Sequence, residues 1–320
     1  MTNTLDGSLV SEVHATREQF LARVAELRPD LHRYCARMVG SVSDGEDIVQ
    51  ETLARAYYSL PELYSIPPLR PWLFRIAHNC ALDHLRRYER RMGRPLDEVV
   101  ETIEDAADDA EDGLSAKEAV HTALTRFLEL PAAQRSSVVL KDVLGHSVDE
   151  IASLLGLSVP AVKSALHRGR ETLRAAQYAP DDDAGRGPGT PSPEVERYVA
   201  LFNARDWEGV RALLADDVRL DLVSRSRREG RAEVSGYLGN YHTIGGWFLA
   251  PAWLEGREVV AVFRTDASSP RDRPAYFIEL TFHEGRVKTV KDFRYVPYIG
   301  ADARLLLDPA RSPPSSGTTT

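Results

Sequence analysis

Apolar residues recur at helical spacing through residues 14–92 and again through 114–178, which predicts two all-helical blocks. From residue 194 the pattern changes. Helical spacing persists over 194–204 and 207–215, and strand-like alternation then begins in "VRLDLVS" (218–224). A short helix near 231–240 follows, then a β-rich stretch with turns at Glu255-Gly256-Arg257 and Glu284-Gly285-Arg286. Two segments break the periodicity and read as linkers: the acidic 93–113, "GRPLDEVVETIEDAADDAEDG", and 179–193, "APDDDAGRGPGTPSP". The predicted fold is multidomain, with two all-α blocks and a C-terminal α+β domain over 194–300. The final 301–320 is expected to be a disordered tail.

The second helical block carries the clearest local signal. Ser147 followed by Glu150 has capping-box spacing, in which the Ser side chain accepts from the backbone three residues on and the Glu reaches back. Ile151, Ala152, Leu154 and Leu155 give an apolar face, Gly156 permits a turn, and Ser158 is placed to cap a second helix that tolerates Pro160 in its first turn. On that helix Val162, Leu166, Gly169 and Leu173 recur inward, while Lys163, His167, Arg170 and Arg174, flanked by Ser164 and Arg168, form a basic stripe. A helix-turn-helix with this stripe suits a DNA major groove. The bland alternative is a helical hairpin with a solvated basic face.

In the first block, Ser43 and Glu46 repeat the capping-box spacing. Ile48, Val49, Leu53 and Ala56 form an apolar face, and Asp44, Asp47, Glu51 and Arg55 line the other side. Residues 70–91 predict a long basic helix. Leu73, Ile76, Ala77 and Cys80 lie on one side of it, Arg75, Asn79, Asp83 and Arg86 on the other, and Arg87, Arg90 and Arg91 extend the charge. A Pro-rich loop with Tyr64 and Trp72 precedes it. Prolines stiffen a loop, and a shaped loop beside a basic helix suits capture of an unstacked base. An amphipathic core helix fits this segment equally well.

Bulk properties then bound the reading. A chain of 320 residues suits two or three domains. Its net charge of −8 argues, as a sum, against nucleic-acid binding, yet the charge is segregated between basic helices and an acidic linker. The two cysteines, Cys35 and Cys80, imply no disulfide framework and read as core fillers; with His32, Cys35 lacks the further ligands of a zinc site. The N-terminal residues lack signal-peptide features and no stretch is long and apolar enough for a membrane span, so a cytoplasmic protein is expected, without membrane contact.

The pattern Asp44-Gly-Glu-Asp-Ile-Val-Gln-Glu-Thr, with Trp72-Leu-Phe-Arg-Ile-Ala-His-Asn and Asp83-His-Leu-Arg-Arg, resembles region 2 of extracytoplasmic-function (ECF) sigma factors. Residues 130–174 resemble their region 4. The resemblance implies core RNA polymerase and promoter DNA as partners and assigns 14–92 to region 2 and 114–178 to region 4. The 44–58 helix would contact the polymerase clamp, through Asp44, Asp47, Gln50, Glu51 and Arg55. The 61–72 loop and 72–87 helix would melt and read the minus-ten element, through Tyr64, Trp72, Arg75, Asn79, Asp83, Arg86 and Arg87. The 159–174 helix would read the minus-thirty-five element, through Lys163, Ser164, His167, Arg168, Arg170 and Arg174. Ala161 and Ala165 stand where the family's recognition helix is expected to have Thr and Arg. The acidic residues from Asp97 to Asp112 are candidates for the polymerase's basic channels, or for a solvated tether.

The last block resembles a SnoaL-like cone-shaped domain, on "PEVERYVALFNARDWEGVRALLADDVRLDLVS" and "REGRAEVSGYL". Such folds host enzymes, binders and inert scaffolds. Acid–base candidates are Asp221, Tyr241, His242, Arg264, His283 and Asp292, but no dyad is recognisable. Glu279 and His283 share a strand face yet lie roughly 13 Å apart. No catalytic residue, cofactor or metal is therefore assigned. Regulation in cis is the favoured role, by packing on the sigma domains. Arg225, Arg227 and Arg228 lie in a basic loop that meets the acidic linker, DNA or solvent. The segment 293–307 is expected to dock on something. An unidentified small ligand in the cone would have Trp247, Trp253 and Tyr295 as walls. The rival readings are a ligand-sensing helix-turn-helix activator with the cone as sensor, and an enzyme with an appended DNA-binding module.

Overall fold

A computed structural model describes residues 4–60, 67–92, 124–177, 189–264, 273–303 and 305–308. Tyr64 and its loop, the acidic linker, most of the second linker and the tail from 309 lie outside the described residues. The chain divides into two compact units, residues 1–179 and 180–320.

In the first unit, α1 (Thr4–Val39), α2 (Val42–Ser59) and α3 (Leu69–Met92) come from the first block. The cap of α2 differs from the sequence expectation. Ser41, not Ser43, is the N-cap, and its side chain accepts from the Asp44 backbone N–H at 3.2 Å. Ser43 and Glu46 are buried inside the helix, with Glu46 ion-paired to Arg28. Only Ser43–Glu46 has the full motif in sequence; at Ser41 the side chain caps the helix without a returning Glu. The one that starts the helix is the one next to the chain reversal after α1.

The second block supplies α4 (Leu124–Phe127), α5 (Ala132–Val138), a π-helical turn (Val139–Val143), α6 (Val148–Leu155) and α7 (Val159–Gln177). The two blocks share one core. Leu31, Tyr34, Val49, Leu73, Phe74 and Ala77 are continuous with Phe127, Leu130, Val139, Ile151, Leu166 and Leu173. Each Leu, Ile, Val or Phe side chain among them contributes roughly 1.5–3 kcal/mol when fully buried.

Polar contacts also cross between the blocks. The buried Arg135 donates to the carbonyls of Met38 on α1, Leu130 (2.8 Å) and Leu128 (3.2 Å). His78 Nδ1 lies 2.7 Å from the Tyr34 hydroxyl and 3.4 Å from Ser136 Oγ. Burial pushes the imidazole pKa down to about 4, so it is neutral here.

The second unit opens with α8 (Pro193–Asn203), capped by Ser192, and α9 (Trp207–Leu213), capped by Asp206. Among the described residues seven strands follow: β1 (Leu214–Leu222), β2 (Ser226–Glu229), β3 (Trp247–Leu254), β4 (Arg257–Arg264), β5 (Tyr276–His283), β6 (Arg286–Asp292) and β7 (Leu305–Leu307). Helix α10 (Arg231–Ile244) lies between β2 and β3, and a short α11 (Ile299–Asp302) precedes β7. The sheet order is β2-β1-β6-β5-β4-β3-β7, with β1 and β6 parallel and the other pairs antiparallel.

The hairpins β3–β4 and β5–β6 turn through Glu255-Gly256 and Glu284-Gly285. All four residues have φ between 50° and 74°, as type I′ turns require. The segment read as a basic loop is strand β2, paired with β1. Order also extends past 300: β7 pairs with β3, with Trp253 opposite Leu306, so the docking segment docks on its own sheet.

Candidate nucleic-acid interface

The helix-turn-helix forms from the chemistry its residues predict. Ser147 and Glu150 complete a reciprocal capping box, Gly156 ends α6 in the left-handed region at φ 69°, and Ser158 Oγ accepts from the Ala161 N–H at 3.2 Å. Val162, Leu166, Gly169 and Leu173 all face the core. A Cβ on Gly169 would stand 2.8 Å from Val138, so a bare backbone is needed for α7 to pack on α5.

The predicted DNA-reading residues divide. Lys163 and His167 are exposed, and Arg168 and Arg174 are half-buried. Ser164 is only 7% exposed and turns inward. Arg170 makes a two-pronged ion pair with the buried Asp142, at 2.7 and 3.0 Å. That fork geometry anchors α7 to the π-helical turn and holds the guanidinium away from the outer stripe.

On the first block, the acidic face of α2 and the basic face of α3 meet. Arg55 pairs with Glu51 (2.5 Å) and reaches Asp83 (3.7 Å), and Arg87 reaches Glu51 (3.8 Å). Asp47 is exposed, and Asp44, Gln50 and Glu51 are half-buried. The Gln50 side-chain amide nitrogen is buried with no hydrogen-bond partner among the described residues. Arg75, Asn79, Arg86 and Arg87 are exposed. Trp72 is half-buried against the core, edge-on to Phe20 at 6.5 Å. Arg75 donates to the Ser153 carbonyl on α6 at 2.7 Å, so the basic helix of the first block touches the helix-turn-helix of the second.

Residues 23–91 match Sigma-70 region 2, residues 122–173 match Sigma-70 region 4, and residues 195–291 match a SnoaL-like domain. The ECF RNA polymerase sigma factor SigW of Bacillus subtilis is 31% identical over 175 residues, which cover 52% of this chain and 92% of SigW. The chain belongs to the ECF RNA polymerase sigma factors. SigG of Mycobacterium tuberculosis, another ECF sigma factor, is 35% identical over 215 residues, 59% of this chain; the match spans only 57% of SigG's length. The crystal structure of the Mycobacterium tuberculosis ECF sigma factor SigJ aligns with 85% of this chain and 95% of its own, at 21% identity and a TM-score of 0.34.

In this sigma factor the α+β unit holds a polar centre that no spacing rule revealed. Asp292 is fully buried. Its Oδ2 accepts from the Tyr237 hydroxyl (2.7 Å) and the Tyr241 hydroxyl (3.1 Å), and its Oδ1 accepts from the Arg294 backbone N–H (2.9 Å). The Tyr276 hydroxyl lies 2.8 Å from that of Tyr241. Burial pushes the Asp292 carboxyl up, while the two phenols and Arg294 pull it back.

Of the acid–base candidates, Tyr241 and Asp292 thus meet. Asp221 instead pairs with Arg227, and His283 is exposed at the end of β5. Arg264 lies over the Trp247 ring at 4.4 Å. The signal available in sequence was weak: Tyr237 and Tyr241 at i,i+4 on a helix, and Asp292 and Arg294 at strand alternation. Among the described residues, no group of three or more metal-ligating side chains occurs, and no helix is long and apolar enough to cross a membrane.

Proposed function

We propose that the chain acts as an alternative sigma factor, binding core RNA polymerase and directing promoter-specific initiation in the cytoplasm, with its α+β unit modulating that activity in cis. The observation that supports this most strongly is the pairing within one chain of a helix-turn-helix with the α2–α3 face. A conventional activator needs the first but has no use for the second. In this reading, Asp44, Asp47, Gln50, Glu51 and Arg55 meet the polymerase. Tyr64, Trp72, Arg75, Asn79, Asp83, Arg86 and Arg87 serve the minus-ten element. Lys163, His167, Arg168 and Arg174 contact the minus-thirty-five element, with Ser164 and Arg170 positioning the helix. The α+β unit contributes no catalysis.

Engaging both elements requires the shared core to open. Elements centred about 25 base pairs apart lie roughly 85 Å apart along the duplex. Residues of one continuous core cannot span that distance. In the closed arrangement Arg75 is committed to Ser153 and is released on opening.

Binding to purified core polymerase tests the first step. The full chain, fluorescently labelled, is expected to bind at nanomolar to micromolar concentration. Asp47→Lys is expected to weaken binding at least tenfold without changing the melting temperature. Absence of binding by the unaltered chain at micromolar concentration would remove the reading.

A further inference from the structure

Arg170 belongs by spacing to the basic stripe of α7, yet the structure commits it to an acid behind the helix. Its Nε donates to Asp142 Oδ2 at 3.0 Å and its Nη2 donates to Asp142 Oδ1 at 2.7 Å. The Asp142 side chain is 5% exposed and that of Arg170 19%. Taking two charges out of water offsets much of their attraction, and an apolar pair of similar size often holds a fold as well. What the fork supplies over apolar packing is direction. Two parallel hydrogen bonds accept one orientation of the guanidinium plane.

The backbone brings the acid to this place by an uncommon route. Val139–Val143 form a π-helical turn, in which the Leu144 N–H donates to the Val139 carbonyl at 3.1 Å and the His146 N–H to the Leu140 carbonyl at 2.9 Å. Single π-helical turns are rare and occur frequently at functional sites. Beside the fork, Gly169 lies so close to Val138 that a Cβ would stand 2.8 Å from it. That close approach sets the spacing of α7 from α5. Rotation of α7 about its own axis is left to the neighbouring side chains. The fork is directional where the apolar contacts of Val162, Leu166 and Leu173 are not. A rotation of about 20° moves side chains at the roughly 5–6 Å radius of a helix by about 2 Å. Hydrogen bonds tolerate about half an ångström. The exposed Lys163 and His167 would be displaced by such a rotation.

We infer that Asp142 is a positioning residue for minus-thirty-five recognition, acting through Arg170 to hold α7 at the rotation that presents Lys163 and His167 to the base edges. Arg170 stays on Asp142 when DNA binds and touches neither base nor phosphate. The inference rests on the proposed sigma function, and adds Asp142 and its π-helical turn to the features on which promoter choice depends.

The test uses holoenzyme assembled from the full chain and core polymerase. Its affinity is measured for a selected promoter and for the same promoter with a scrambled minus-thirty-five element, over a salt series. Asp142→Asn and Arg170→Lys are each expected to lower the ratio of the two affinities at least fivefold. Replacing both partners, Asp142→Leu with Arg170→Met, is expected to keep the melting temperature within about 3 °C of the unaltered chain and still leave the ratio low. A merely structural role does not give that split. In the same double variant the slope of log affinity against log salt is expected to change by less than about 0.3, since losing one phosphate contact removes about 0.9. An unchanged ratio in the variants overturns the inference. So does a slope that falls by about 0.9, or tighter binding of both promoters by Asp142→Asn, because either means that Arg170 serves a phosphate. Asp142→Asn and Arg170→Lys are close in size to the native residues, so the ratio is readable even if the double variant fails to fold. No preference between the two promoters by the unaltered holoenzyme removes the sigma reading and this inference with it; the other contrary results strike the inference alone.

Discussion

Each unit buries an ionisable group at its centre, and the two groups are satisfied in different ways. In the helical unit, Arg135 donates to three backbone carbonyls, one of them on α1 and two just before its own helix. Main-chain acceptors are fixed by the fold, so this cation acts as a lock between two blocks far apart in sequence. In the α+β unit, Asp292 accepts from two side-chain phenols and one backbone N–H. The first centre ties two blocks through main-chain acceptors, and the second is a network held mainly by side chains.

The largest expected effect lies in the lock. Arg135→Ala strands buried carbonyls and is expected to destabilise the helical unit by roughly 4 kcal/mol, read from urea unfolding followed by circular dichroism. Arg135→Lys, whose point charge cannot fork onto several carbonyls, should recover less than half of that. A loss below 1 kcal/mol for the alanine variant would mean the blocks are held by apolar packing alone. Asp292→Leu is expected to cost about 3 kcal/mol in the α+β unit, because two phenol hydroxyls lose their acceptor in the core. If it proves neutral, the phenols can satisfy one another, and the contrast between the units weakens.

A pH series sharpens the comparison. His78 has its pKa lowered to about 4 in the folded chain, so the unfolded chain takes up its proton first as pH falls. Its contribution to stability is complete above the unfolded value, near 6.5, and is lost as pH falls towards 4. Between pH 7.5 and 5 this amounts to roughly 2 kcal/mol, confined to the helical unit. His78→Asn should remove that part of the slope, and an unchanged slope would place the imidazole in solvent. The smallest effect concerns the thiols. Burial raises the pKa of both Cys35 and Cys80, so neither is expected to react with a disulfide reagent on the timescale that labels the urea-unfolded chain at once.

Much of this architecture is legible in sequence wherever a local rule decides it. The Ser147–Glu150 box, the Gly156 turn, the inward stripe of α7 and the two type I′ turns all depend on residues within a few positions of one another. Where two local solutions compete, as at Ser41 and Ser43, only the neighbouring chain reversal selects between them. Contacts across the chain were not legible. Nothing in the spacing of "AAQRSSV" announces that Arg135 reaches Met38, nor that Asp142 takes Arg170 from the recognition stripe. The Asp292 centre draws on α10, β5 and β6, elements that only the sheet topology brings together.

The function proposed for this chain is to programme core polymerase. Run-off transcription tests it most directly, with purified core enzyme and promoters selected from random DNA, comparing the full chain with a version ending at Tyr178. Promoter-specific transcripts are expected, and alanine at both Lys163 and His167 is expected to reduce them at least tenfold, as loss of groove contacts worth about 1–3 kcal/mol each requires. A change on truncation gives the sign of the α+β unit's control. If neither version directs initiation from any selected promoter, the sigma reading is contradicted, and the helix-turn-helix belongs to an ordinary regulator.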